Sequence, residues 1–222
     1  MSKKKKKQPQ HSPQHQEVLQ KHALEQEEVH EVVAFFQKYS KPALVAFTAV
    51  CLIFVVSQVI KSQRIKKELT ADAAFVQAAS PEDLQAIIDD YPATPTAPFA
   101  TIKLAQIKFN NGDVPAAEKL YQKAKDEYKQ QDIALIAELG LITCKENKKQ
   151  FAEAQKEYAT FAKAHPESYL VPMATFNQAR CFEALNKYAD AIRIYDSLIA
   201  ASPKSIWAMI AENHKKMAKT QL

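Results

Sequence analysis

Six histidines, three cysteines and several clustered carboxylates are the side chains here able to bind a metal, attack a carbonyl or move protons. His11 and His15 have the i, i+4 spacing that offers two imidazoles on one helical face, but they lie in a proline-interrupted polar stretch. His165 precedes Pro166, where an imidazole meets helix-terminal carbonyls. No Cys/His cluster exists. Cys51 falls in an uncharged stretch and reads as a small apolar residue. Cys144 and Cys181 stand 37 residues apart at equivalent places on successive helices. Stacked helices are about 8–10 Å apart, beyond the roughly 7 Å between bridged Cα atoms, so two reduced, buried thiols are predicted. The acids Glu82, Asp83, Asp89, Asp90, Asp126 and Glu127 belong to helix starts and solvated faces. There is no glycine-rich phosphate loop, Gly-x-Ser-x-Gly or His-Glu-x-x-His. The expectation is a protein without catalytic residues, cofactor or metal.

The elements that carry these residues divide the chain. "KPALVAFTAVCLIFVVSQVIK" holds no formal charge from Ala43 to Ile60. As a helix, residues 42–60 measure roughly 28 Å, close to the hydrocarbon thickness of a bilayer. Lys38 and Lys41 flank one end and Lys61, Arg64, Lys66 and Lys67 the other, at headgroup positions. The stretch is too far from residue 1, and ends with the wrong residues, for a cleaved signal. It reads as a single transmembrane helix. Before it, residues 1–24 form a basic tail without enough apolar surface to fold. Residues 25–41, with Val29, Val32, Val33, Phe36 and Tyr39 at three- and four-residue spacing, read as an amphipathic juxtamembrane helix. Residues 1–41 hold 8 of the 30 Lys+Arg and 5 of the 25 Asp+Glu, so charges after them nearly cancel and nucleic acid is not an expected partner. The cytoplasmic side is assigned to this short lysine-rich tail, although the four cations after the span argue the other way.

Beyond a linker helix and degenerate first unit over residues 61–97, "VPAAEKLYQ", "FAEAQKEYA" and "YADAIRIYD" align without gaps at a step of 37 residues. Ala117, Ala154 and Ala191 fall in register, as do Tyr121, Tyr158 and Tyr195, with Leu84 in the tyrosine place of the earlier unit. Pro166 and Pro203 share the same step. With two glycines in 222 residues and abundant Ala, Lys, Glu and Gln, helix is favoured throughout. Three helix pairs follow: 98–110 with 114–128, 133–147 with 150–164, and 172–185 with 188–201, with a capping helix in residues 204–222. A small residue lets neighbouring helices approach and the aromatic four positions on fills the adjacent hole.

This pattern resembles the tetratricopeptide repeat. Ala179, Phe182, Ala191, Tyr195 and Pro203 take the small, aromatic and closing-proline places in the third unit. Thr175 and Gln178 depart from the expected tryptophan and leucine, Lys129 replaces a proline, and Leu139-Gly140 comes two residues early in the second unit. The fold expected is all-α: one N-terminal transmembrane helix, then a tetratricopeptide-like right-handed α-solenoid whose three repeats occupy residues 98–203. Tail, amphipathic "EVVAFFQKYSKP", span and repeats together resemble the ancillary subunit family of the bacterial SecYEG translocon. That likeness implies a single-pass inner-membrane protein with its C-terminal domain in the periplasm, meeting translocon subunits, chaperones or unfolded clients.

In such a solenoid the first helices line a concave groove. Here they offer Phe99, Ile102, Gln106, Phe109, Ile136, Leu139, Met173, Phe176, Arg180 and Glu183, an apolar lining with few charges that suits an amphipathic helix or unfolded segment. The competing reading packs many of these between helices or under the Trp207 helix. The function expected is a membrane-anchored scaffold for protein–protein interaction. The alternatives are the same scaffold with a cytoplasmic domain organising an intracellular complex, or an envelope enzyme built from scattered acids.

Overall fold

A computed structural model describes residues 13–128, 131–201 and 203–222. The lysine run, His11 and Lys129 lie outside them. The described residues form nine helices and no strand. They divide into two units, residues 1–63 and 64–222.

The first helix, α1 (Pro13–Gln77), is continuous over 65 residues. Residues 13–24, expected to be unstructured, are thus helical, and so are the segments read as juxtamembrane, spanning and linker. The reason is local: Pro13 sits at the first helical position, where its missing N–H is no loss, and Gln, Glu, Leu and Lys are good helix formers. Ser40–Gln77 contains a stretch long and apolar enough to cross a bilayer, with mean hydropathy 2.6 and none of it buried. Its hydroxyls are satisfied on their own backbone, Thr48 Oγ1 donating to the Val45 carbonyl at 2.9 Å and Ser57 Oγ to the Phe54 carbonyl at 2.7 Å. A lipid environment requires such internal pairing.

In the second unit α2 (Pro81–Asp90) starts with a capping box. Asp83 N donates to Ser80 Oγ at 3.1 Å while Asp83 Oδ2 accepts from Ser80 N at 2.9 Å and Ala79 N at 3.0 Å. The donors of Ser80, then Ala79, hold the Asp83 carboxyl below the usual range. Leu84, Ile87 and Ile88 of α2 pack against Ala100 and Leu104 of α3 (Thr96–Asn110), with Ala74, Phe75 and Ala78 at their edge. Asp72 accepts from Thr96 Oγ1, and Lys103 Nζ lies 5.1 Å from the Phe75 ring centre.

Three pairs then follow: α3 with α4 (Val114–Glu127), α5 (Gln131–Asn147) with α6 (Phe151–Ala164), and α7 (Val171–Ala184) with α8 (Tyr188–Ala201). Each helix packs on its successor, ending with α9 (Ile206–Lys219) against α8 and α7. Ser205 caps α9 by accepting from Ala208 N at 3.1 Å. Ala117, Ala154 and Ala191 are wholly buried, and Tyr121, Tyr158 and Tyr195 lie in the same clusters. Leu84 is buried in the tyrosine place, while Pro166 and Pro203 are exposed.

The turns inside the pairs repeat as strictly as the cores. Gly112, Lys149 and Asn186, again 37 residues apart, have φ of 81°, 62° and 58°. Each turn is closed by a six-residue backbone bond: Asp113 N to Lys108 O at 2.9 Å, Gln150 N to Lys145 O at 3.0 Å, Lys187 N to Phe182 O at 2.9 Å. One geometry therefore accepts three residue types, of which only glycine and asparagine suit it.

The early Leu139-Gly140 also has a physical cause. Ile142, buried, takes the place of Ala105 and Ala179, and the small residue moves to Gly140 because Tyr121 presses there. A Cβ on Gly140 would come within 2.5–2.7 Å of the Tyr121 ring.

Two outcomes follow for the domain's urea unfolding. Lys149→Gly, by removing a left-handed β-carbon, raises stability by about 0.5–1 kcal/mol. Gly140→Ala lowers it by about 1–3 kcal/mol, and shortening the ring with Tyr121→Leu makes the added methyl less damaging than in the native background.

Candidate functional site

The row of first helices α3, α5 and α7 positions the candidate surface. Its residues separate into two groups. Ile102, Leu139 and Phe176 are core, at 7%, 2% and 7% exposure. Ile102 packs with Ala105 and Tyr121, and Leu139 with Tyr158 and Phe161. Phe176 lies 5.7 Å from the rings of both Tyr195 and Trp207 and meets the His214 ring edge-on at 5.0 Å. Phe99, Gln106 and Arg180 are exposed, and Phe109, Ile136, Met173 and Glu183 are half-buried. These seven remain accessible along the row.

A polar constellation crosses the same helices. Glu146 of α5, nearly enclosed, accepts from the Tyr158 hydroxyl at 2.9 Å. Thr143 Oγ1 stands 3.1 Å from that hydroxyl and also donates to the Leu139 carbonyl at 2.9 Å. The other Glu146 oxygen pairs with Arg180 Nη2 at 3.2 Å, carrying the contact to α7. One repeat later Glu183 lies beside the buried Tyr195, and its partner is His214 Nδ1 at 3.3 Å. The Tyr195 hydroxyl is buried without a hydrogen bond. Burial first, then Glu146 or Glu183, pushes Tyr158 and Tyr195 far above the usual phenol range. Both phenols are neutral at physiological pH, and Tyr158 is the one that donates, to Glu146. Thr143 and Glu146 were absent from the sequence expectation, although the 37-residue step from Glu183 leads to Glu146.

The remaining reactive groups are committed to structure. Cys144 and Cys181 are buried and unpaired with each other. Burial, then the Glu118 and Glu146 carboxylates respectively, pushes their thiols to about 11 and about 12. Neither supplies a thiolate nucleophile near neutrality. Lys145 Nζ joins Glu153 at 2.8 Å and Glu157 at 2.5 Å, which raises its pKa, and Lys148 joins Glu118 at 2.5 Å. These pairs border a cavity of about 380 Å³ between α4, α5 and α6 that includes Glu118, Lys145 and Glu157. Among the described residues no three His, Cys, Asp or Glu side chains converge as a metal site.

Helix pairs with a fixed repeat, alanine–tyrosine packing and an accessible first-helix row define a tetratricopeptide-like scaffold. The chain belongs to the tetratricopeptide repeat-like domain family, whose model matches residues 33–214, apolar stretch of α1 included. No curated protein matches the sequence. Among solved structures, a tetratricopeptide repeat protein from Parabacteroides merdae is 18% identical, with 72% of this chain and 60% of that one covered and a TM-score of 0.48. The chain thus spans 60% of that protein's length. Two structures of a Podosopora anserina putative kinesin light chain with nearly identical TPR-like repeats are 16% and 17% identical. They cover 73% of this chain in both cases, and 85% and 86% of their own, at TM-scores of 0.52 and 0.50. The shared property is the fold.

The raised thiols set an alkaline limit. In the unfolded chain a thiol ionises near about 8.5. Between that value and the folded value the unfolded state binds fewer protons, so stability falls as pH rises. The urea midpoint is expected to decline from about pH 9 upward, and Cys144→Ala with Cys181→Ala to flatten the part below about pH 10, above which the raised Tyr158 and Tyr195 phenols add their own decline.

Proposed function

We propose that the chain is a non-enzymatic, membrane-anchored scaffold that holds a partner polypeptide along its first helices. The observation that carries this reading is the exposure of Phe99, at 52%, on a row that also presents Phe109, Ile136 and Met173. A single exposed apolar residue is ordinary, but Phe99 with the half-buried Phe109, Ile136 and Met173 on one row, and Arg180 exposed beside them, fits an amphipathic helix or an unfolded segment. Gln106 and Glu183 supply hydrogen-bonding positions at the edge. Anchoring through residues 42–60 keeps this surface at high local concentration, so weak contacts suffice.

The setting proposed is the periplasmic face of a bacterial inner membrane, close to the Sec translocon, with translocon subunits, chaperones or emerging clients as partners. The eight lysines of residues 1–41 and the resemblance in layout to the translocon's ancillary subunits support it. A cytoplasmic domain is the second reading, favoured by the four Lys/Arg that follow the span. Protease added to spheroplasts separates them: digestion of the C-terminal domain while the inner membrane is intact supports the periplasmic setting, and digestion only after lysis overturns it.

Photo-crosslinkers at Phe99 and Met173 in living cells are expected to capture a defined partner that crosslinkers at Lys119 and Lys163, on the second helices, do not. Phe99→Glu with Met173→Glu should cut that capture tenfold or more, on the order expected for removing central anchors. Equal capture from both sets of positions would overturn the first-helix surface.

A further inference from the structure

A helix that closes a solenoid ordinarily turns a polar face outward. The outer face of α9 is apolar instead. Its inner side packs on α7 and α8, while Ile206, Met209 and Met217 on the outer side are each more than half exposed. At about 100° per residue these side chains and Asn213 fall within about 80° of one another, a stripe of the kind that anchors a helix in a groove. Lys216 and Lys219 lie along one edge of the stripe, exposed and with no carboxylate partner among the described residues. Glu212, on that edge, is already engaged by Lys215 Nζ at 3.0 Å. A cover for this face therefore needs an apolar groove and negative charge.

The other end of the same unit has both. A cleft of about 390 Å³ opens between the last turns of α1 and α2, walled by Ala74, Ala78, Ala86 and Ile87. Alanine walls let a helix come close, since the distance between helix axes is set by the side chains at the contact. Every exposed charge on α2 is negative: Asp83 and Asp90 border the cleft, and Glu82 and Asp89 continue the face. The Ser80 and Ala79 amides engage Asp83, whereas Glu82, Asp89 and Asp90 have no cation partner among the described residues. Two α9 faces would bring cation to cation and two α2 faces acid to acid. An α9 face on an α2 cleft brings opposite charges together.

We propose that α9 of one copy docks in the cleft between α1 and α2 of the next, so that chains associate head to tail. The Met209 stripe enters the alanine-walled cleft, and Lys216 and Lys219 meet Asp89 and Asp90. The contact is heterologous, so each copy keeps one end free for a further copy. A single helix in a cleft covers less than a standard interface, so the association is weak and falls in high salt.

The test uses the full chain with Cys51→Ala, which leaves Cys144 and Cys181 as buried thiols, reconstituted in phosphatidylcholine bilayers. Chains carrying Ala86→Cys or Met209→Cys, with tags of different length, are mixed and oxidised. The mixed disulfide is expected to exceed either self-disulfide by about fivefold or more. Asp89→Lys with Asp90→Lys on the Ala86→Cys chain should cut its yield about fivefold, and Lys216→Glu with Lys219→Glu on the other chain should restore it. Lysine in the last turn of α2 suits the helix dipole, and rescue by the second reversal separates lost docking from a lost fold. A Met209→Cys self-disulfide that dominates overturns the proposal in favour of two-fold pairing through α9. A mixed yield no higher than that of Ala86→Cys with Lys163→Cys overturns it, as does a second reversal that fails to restore the yield. A nitroxide on Met209→Cys that is immersed in lipid while no mixed disulfide forms assigns the stripe to the membrane surface and overturns it as well.

Discussion

The Tyr121 ring needs a partner helix that can come close without a side chain in the way, and this constraint sets the joint between the first two repeats. Tyr121 reaches from α4 onto α5 at the one position where α5 carries glycine. The alanines four residues before each tyrosine are wholly buried for the related reason that their helices are pressed against neighbours. Interiors packed to this density transmit volume changes directly, so a methyl group at Gly140 is felt across two repeats. The 37-residue step follows from the same contacts. It fixes where the next first helix begins, and hence where the accessible row can lie.

Buried polarity adds direction to this packing. Glu146 joins α5, α6 and α7 through Tyr158 and Arg180, which hydrophobic contact alone would not orient. Removing one member would leave another buried and unpaired, a larger loss than the pair's net worth. At the last joint the permanently charged arginine gives way to His214, and the Tyr195 hydroxyl has no hydrogen bond. The terminal joint is thus less completely paired than the internal one. Apolar contacts of Trp207 and Ile210 with the last repeat accompany it.

Much of this was legible in the residues themselves. The Ala–Tyr register located every second helix because packing demands specific sizes at fixed intervals. Gly112 announced its turn, whereas Lys149 did not, since lysine is an ordinary helix former forced into the same backbone by its surroundings. Apolar identity could not separate Ile102, Leu139 and Phe176, which are core, from Phe99 and Met173, which are accessible, because that distinction depends on which turn of each helix meets a neighbour. Composition suggested boundaries along α1 that the backbone ignores: helix formation there is local and crosses changes in polarity without interruption. Glu146 escaped notice because a charged residue on an apolar row reads as solvated until its partners are known.

Trp207 is the sole tryptophan of the chain and packs against Phe176, its ring tilted, at the C-terminal end of the array. In a linear repeat protein each unit is stabilised chiefly by its immediate neighbours, so the ends can fray while the middle holds. Intrinsic fluorescence would therefore follow the detachment of the terminal helix, and circular dichroism the melting of the whole helical stack. A gap between the two signals would measure how far cooperativity extends along the chain.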